Sequence, residues 1–214
     1  VARPSRPSAP AEPHALGIEQ IVAAALRVGV SKGFSALTMR SLADELGTSP
    51  MAAYYHVPNK NALLDLVIDS RLEAVEIPPP EFGPWDARVR ELQGRSAAAL
   101  EPWAGLDLLV FERPPTTHGL RLMDGYLRIL LDGGFTPRNA AQAFSILHAY
   151  GMSRVAFERR LQDADRGSDR SEERAQWPAL RVVEDVWADL HRSDLHDFAM
   201  DVVLDGLRDL LARQ

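Results

Sequence analysis

Apolar residues recur every three or four positions along most of this chain. Ile18, Ile21, Val22, Ala25 and Val28 set that rhythm and predict a first helix, which Gly33 stops after Lys32. Thr38 caps a second, "TMRSLADELG", with Leu37 and Leu42 as a hydrophobic staple and Gly47 as its end. Ser49 caps a third, with Pro50 at the first helical position. Val57 precedes Pro58 and is biased to extended geometry, so this helix closes after about two turns. Asn59 caps a fourth helix from Lys60 to Val75, with Leu63, Leu64, Val67, Ile68 and Leu72 inward.

"IPPPEFGP", residues 77–84, breaks the pattern and marks a boundary. Further helices are predicted over 85–100, 105–112, 116–132, 137–161, 179–191 and 194–213, with "DADRGSDRSEER", residues 163–174, as a polar loop. Period-two alternation of useful length is absent, so no sheet is expected. The fold class is therefore all-α, with about nine or ten helices. The organisation is a disordered arm at 1–15, a helical head with its connecting fourth helix at 16–76, the Pro-rich break at 77–84, and a second helical domain at 85–214.

Composition narrows the chemistry. Hydrophobic residues make up 46% of the 214 positions, enough for a proper core. There is no cysteine, which removes disulfides, thiolate metal sites and cysteine nucleophiles and fits a cytoplasmic setting. No apolar run approaches the roughly 18 residues of a membrane span. The net charge of −6 argues against nucleic acid until its distribution is read. Residues 1–62 carry six Lys/Arg against four acids, while the remainder carries 18 against 26. A mildly basic head on an acidic body can still bind DNA, because only the contacting face must neutralise phosphates.

The second and third helices are short and joined by a sharp turn at Gly47 and Thr48, with the first helix packing across them. That is the layout of a helix-turn-helix, whose later helix enters the major groove. On a helical wheel Pro50, Ala53 and Val57 share the inward side. Met51, Ala52 and Tyr55 lie opposite, with Tyr54 and His56 on the flanks. Small groups then meet the bases and hydrogen-bonding tips meet the phosphates. Tyr55 is equally readable as a packing aromatic, Arg40 as a solvated charge and His56 as a helix C-terminal cap.

"GFSALTMRSLADELGTSPMAAYYHVPNKNALL" resembles the DNA-binding domain of the tetracycline-repressor (TetR) family of bacterial regulators. The matching features are the Gly-Phe after the first helix, Leu-Thr-x-Arg, Leu-Ala-x-x-Leu-Gly, Tyr-Tyr-His-Val and Asn-Lys-x-x-Leu-Leu. "ERPPTTHGLRLMDGYLRILLDGGFTPRNAAQAF" is more weakly similar to the ligand-binding half of the tetracycline repressors. The resemblance implies a nucleoid-associated repressor that binds a palindromic double-stranded operator as a homodimer and is released by a small effector. It implies backbone contacts from Thr38, Tyr54, His56 and Lys60, a guanine contact from Arg40, and base contacts from Met51 and Ala52. Ser49 and Tyr55 belong to the same DNA-binding set.

The last helix repeats Leu195, Phe198, Val202, Leu207 and Leu210, a stripe too wide for one small core. The family's arrangement makes it a dimer interface, with Leu195, Phe198, Val202 and Leu207 facing the partner. A pocket for a mostly apolar molecule is expected in the same domain. Its candidate liners are Trp85, Leu92, Trp103, Phe111, Arg113, Met123, Tyr126, Phe144, His148 and Met152. Each can also be ordinary core. The tetracycline-binding members' polar contacts are replaced by Leu109, Glu76 and Leu92, so the resemblance does not extend to that drug or to a metal. No cofactor is implied.

An enzyme is the rival from another class. The chain lacks HExxH, P-loop and GxGxxG motifs, and His191 and His196 are spaced poorly for a shared metal. A DNA-binding structural or division-type factor of the same fold, without an effector, is the alternative within the resemblance.

Overall fold

The computed structural model describes residues 16–103, 105–164, 176–189 and 192–214. The expected arm at 1–15 and nearly all of the expected polar loop at 163–174 lie outside the described residues, as does the side chain of Met152. Among the described residues there are ten α-helices and no strands. They are α1 (Ile18–Lys32), α2 (Met39–Leu46), α3 (Pro50–His56), α4 (Lys60–Glu73), α5 (Trp85–Leu100), α6 (Leu106–Glu112), α7 (Thr117–Asp132), α8 (Pro137–Ala164), α9 (Pro178–Asp189) and α10 (Arg192–Ala212). Two short 3-10 turns, Phe34–Ala36 and Pro80–Phe82, were not foreseen from the periodicity.

The chain divides into two compact units, residues 1–63 and 64–214. In the first, α1 and α3 both pack on α2. Ile21, Val22, Ala25 and Val28 are buried as their spacing requires, while Ile18 stays exposed in the first turn. Leu37 and Leu42 are both fully buried, the two ends of the staple across the N-terminus of α2. Thr38 Oγ1 accepts from the Ser41 amide at 3.0 Å and Ser41 Oγ accepts from the Thr38 amide at 2.8 Å, so serine closes the reciprocal cap that glutamate often makes. Gly47 ends α2 at φ 66°, ψ 30°, a left-handed conformation that side chains with a Cβ resist. Ser49 and Asn59 cap α3 and α4 by accepting from the Ala52 and Ala62 amides at 3.3 and 2.9 Å.

In the second unit α8 packs against α6, α7 and α10, and α5 packs on α7. Tyr150 on α8 stacks on His196 of α10 and bonds its Nδ1 at 2.7 Å. The sequence puts the boundary at the prolines, whereas the packing puts it inside α4. The cause is α4's own pattern: Val67, Ile68 and Leu72 are buried, and polar ties hold this stretch to residues 113–121. The Pro-rich segment is itself fastened within the second unit, where buried Arg88 donates to the Pro78 carbonyl at 3.2 Å.

Leu42→Ala removes a fully buried side chain from the centre of the first unit. It is expected to destabilise that unit by about 2–5 kcal/mol, read as a lowered midpoint in urea denaturation followed by far-ultraviolet circular dichroism.

Candidate nucleic-acid interface and ligand cavity

Helix α3 has seven residues, and its internal bonds alone would not keep it folded in water. It is held by caps at both ends and by the complete burial of Ala53, with Val57 fully buried at its C-cap. These two side chains fix its rotation. Met51 is 77% exposed, Tyr55 88% exposed, and Tyr54 is exposed on the flank. Ala52 and His56 are half-buried. Tyr55 therefore does not serve as core, the other role its spacing allowed; its ring only meets His56 edge-on at 5.4 Å. Pro50 departs from the wheel: it is exposed, because a first-turn residue sits outside the contact that Ala53 and Val57 make.

Thr38, Arg40 and Ser49 are exposed beside this face. Thr38 and Ser49 each spend their side-chain oxygen on a helix N-terminus, which also fixes where those hydroxyls stand. Lys60 is half-buried and donates to the Ser35 carbonyl at 3.0 Å. An ammonium has three donors, so Lys60 keeps capacity for a phosphate while this bond positions it.

The second unit holds a partly open cavity of about 370 Å³. Six of the sequence-derived liners meet on its wall: Phe111, Arg113, Met123, Tyr126, Phe144 and His148. Trp85, Leu92 and Trp103 do not. Trp85 stacks edge-on against Phe135 at 4.9 Å, Leu92 is fully buried in the core, and Trp103 lies under the Arg71 guanidinium at 5.5 Å. Periodicity marks all three as inward without saying which inward space they fill. The wall also holds residues that the sequence reading passed over, among them Gln93, Ser96, Thr116, Gly119 and Gly151. The two glycines, each inside a helical run, were the available signal, since such a glycine marks close approach.

The cavity's polar side has a definite geometry. The Tyr126 hydroxyl donates to Gln93 Oε1 at 2.7 Å, and Gln93 Nε2 donates to the Leu147 carbonyl at 3.2 Å. Burial pushes the Tyr126 phenol far above its ordinary range, so it stays protonated. Burial also lowers the His148 pKa, and this imidazole stacks on Phe144 at 5.5 Å.

Residues 113–121 run from the cavity wall to α4. Arg113 Nε donates to Asp65 at 2.9 Å, and a second guanidinium nitrogen reaches the same oxygen at 2.7 Å. The His118 amide donates to one Asp69 oxygen at 2.7 Å, while its ring meets the other at 2.9 Å. Arg121 closes the far end on the carbonyls of Leu72, Glu73 and Val75. Desolvation alone would raise the Asp69 pKa, but bonds from Thr116 and His118 outweigh it and hold the carboxyl below its usual range.

Of the residues expected at a dimer interface, Phe198 is 66% and Val202 56% exposed, and Leu195 is half-buried. Leu207 is buried within its own chain, because it falls on the face of α10 that carries Met200 and Leu204. Ile146 on α8 is exposed as well. No helix among the described residues is long and apolar enough to cross a membrane.

Comparison with known proteins gives two family matches. Residues 21–67 match bacterial regulatory proteins of the tetR family, and residues 77–211 match the tetracyclin repressor-like C-terminal domain. The HTH-type transcriptional repressor DrrR1 of Streptomyces coeruleorubidus is 30% identical, over 99% of this chain and 83% of that protein. The class A tetracycline repressor protein from transposon 1721 in Escherichia coli is 26% identical, over 87% of this chain and 88% of its own. Among solved structures, apo ActR from Streptomyces coelicolor superposes with a TM-score of 0.78 at 25% identity, covering 93% of this chain and 98% of ActR. ActR in complex with actinorhodin gives 0.78 and 25%, covering 92% and 98%.

The depressed Asp69 pKa fixes the sign of one pH effect. The unfolded carboxyl takes up its proton first, so this group's stabilisation is complete above its unfolded pKa of about 4. It is lost as pH falls through the lower folded value. Urea midpoints measured from pH 6 to 3 should fall with acid, and Asp69→Asn should flatten that decline while lowering the neutral-pH midpoint.

Proposed function

The chain belongs to the tetR family of bacterial regulatory proteins, and from that membership we propose a repressor that binds a palindromic operator as a homodimer and is released by a small, mostly apolar effector. That it is a DNA-binding transcriptional regulator follows from the family. The observation that carries the finer reading is the rotation of α3. Ala53 and Val57 are fully buried, and this leaves Met51, Tyr54 and Tyr55 to solvent beside exposed Thr38 and Arg40. The apolar tips of Met51 and Ala52 suit thymine methyls, and Arg40 suits the O6 and N7 edge of guanine. Tyr54, His56, Lys60, Thr38 and Ser49 suit phosphates at the margins.

Exposed Phe198 and Val202 on α10, with Ile146 on α8, support pairing of two copies through these helices. Two reading heads then match the two half-sites of a palindrome. The cavity supports an effector over the alternative of a structural or division-type factor, because its walls combine aromatic rings with a few bonded polar groups. ActR, a similar chain, was solved in complex with actinorhodin, which supports a small-molecule effector here.

Coupling follows the covalent path. Pro114, Pro115 and Thr116 line the cavity, and Arg113 and His118 on either side bond α4. Helix α4 begins in the first unit and ends at Glu73 in the second. An effector that fits one position of this strap better than another biases α4, and with it the spacing of the two heads.

Selection of bound fragments from a random DNA pool should return a palindrome. Tyr54→Ala should then weaken gel-shift affinity about tenfold, the loss of a charge-assisted phosphate contact. Arg40→Ala should instead relax the preference for guanine at one position. A non-palindromic or unselective pool would overturn the operator reading. Phe198→Asp with Val202→Asp should turn the sedimenting dimer into monomers. His118→Ala should leave an effector bound yet raise the concentration needed to release operator.

A further inference from the structure

A methionine thioether is open to oxidation where an oxidant can reach it, and this chain has no cysteine thiol to react in its place. It has five methionines. Met39 and Met200 are buried. Met123 is 37% exposed, on the cavity wall, whereas Met51 is 77% exposed. Long side chains can often fold away from solvent, but the setting of Met51 opposes this. Full burial of Ala53 and Val57 fixes the rotation of α3, and Ser49 Oγ, accepting from the Ala52 amide at 3.3 Å, holds the first turn around it. Met51 therefore leaves its backbone on the outer side of the helix, with Tyr55.

Oxidation changes what this tip can touch. With hydrogen peroxide, a sulfur lone pair forms a new S–O bond, the O–O bond breaks and the second oxygen leaves as water. Sulfur gives up two electrons and the peroxide takes them. The thioether is apolar and suits a thymine methyl, but the sulfoxide is polar. Its oxygen accepts hydrogen bonds and donates none. In the major groove it would meet thymine O4, guanine O6 and N7, and adenine N7, which are all acceptors. Only the amino groups of adenine and cytosine could pair with it.

We propose that Met51 is an oxidation site through which peroxides weaken operator binding, reversibly, because methionine sulfoxide reductases return the thioether. This role rests on the operator reading proposed for α3, in which its outer face meets DNA. It needs no ligand in the second unit, so the head carries a second input of its own.

Graded hydrogen peroxide tests this on the full chain, free and bound to its selected operator. Peptide mass mapping reads the order of oxidation, and gel shifts after removal of peroxide compare each protein with its own untreated sample. Sulfoxide should form at Met51 before the other four methionines. Parent affinity should then fall about tenfold, the loss of one good base contact. The two stereospecific methionine sulfoxide reductases should restore it. Met51→Leu should keep its own affinity through the treatment, while Met123→Leu should lose as much as the parent. Bound operator should shield Met51 and leave Met123 reactive. The inference is overturned if another methionine oxidises first, if sulfoxide at Met51 leaves affinity unchanged, or if treated Met51→Leu loses affinity like the parent. Operator that fails to shield Met51 would instead overturn the placement of α3 against DNA, and the oxidation role with it.

Discussion

A seven-residue helix does not persist in water by itself, so the later helix of this helix-turn-helix exists only because its neighbours hold it. Two small side chains accomplish this. Ala53 and Val57 are completely buried, and a larger group at either place would lift α3 off its support or roll it. Small anchors also keep the helix close to its neighbours, so the outer side chains project further. The exposure of Met51 and Tyr55 is thus the other side of the same packing.

The same economy of polar groups recurs in the second unit. Gln93, Tyr126 and the Leu147 carbonyl satisfy one another in a largely apolar wall. A buried polar group without a partner would be destabilising, so this network fixes the side chains before any ligand arrives. Preorganisation of that kind favours binding that orders little further structure.

Much of this was legible from the sequence, for physical reasons that can be named. Helices announce themselves by period and by caps, and Thr38, Gly47, Ser49, Pro50 and Asn59 all mark ends that the structure has. The outward set of α3 could be read because two turns of helix leave few alternatives. The cavity was harder. Trp85, Leu92 and Trp103 are inward, yet they meet Phe135, the core and Arg71 instead. Gln93 was invisible because a lone amide in a helical run is ordinarily a surface residue, and its amide occupies space left by a glycine 58 positions later. Leu207 shows the same limit: a stripe tells that a side is apolar, not which neighbour covers it.

The ties along α4 have a mechanical consequence. Asp65, Asp69 and the carbonyls from Leu72 onward are about one turn apart and fall along one edge of the helix. A rod pinned at successive points on a single edge can pivot with its hinge, but it cannot spin about its long axis. Turning α4 about that axis would therefore break the Asp65, Asp69 and Leu72 ties together rather than one at a time.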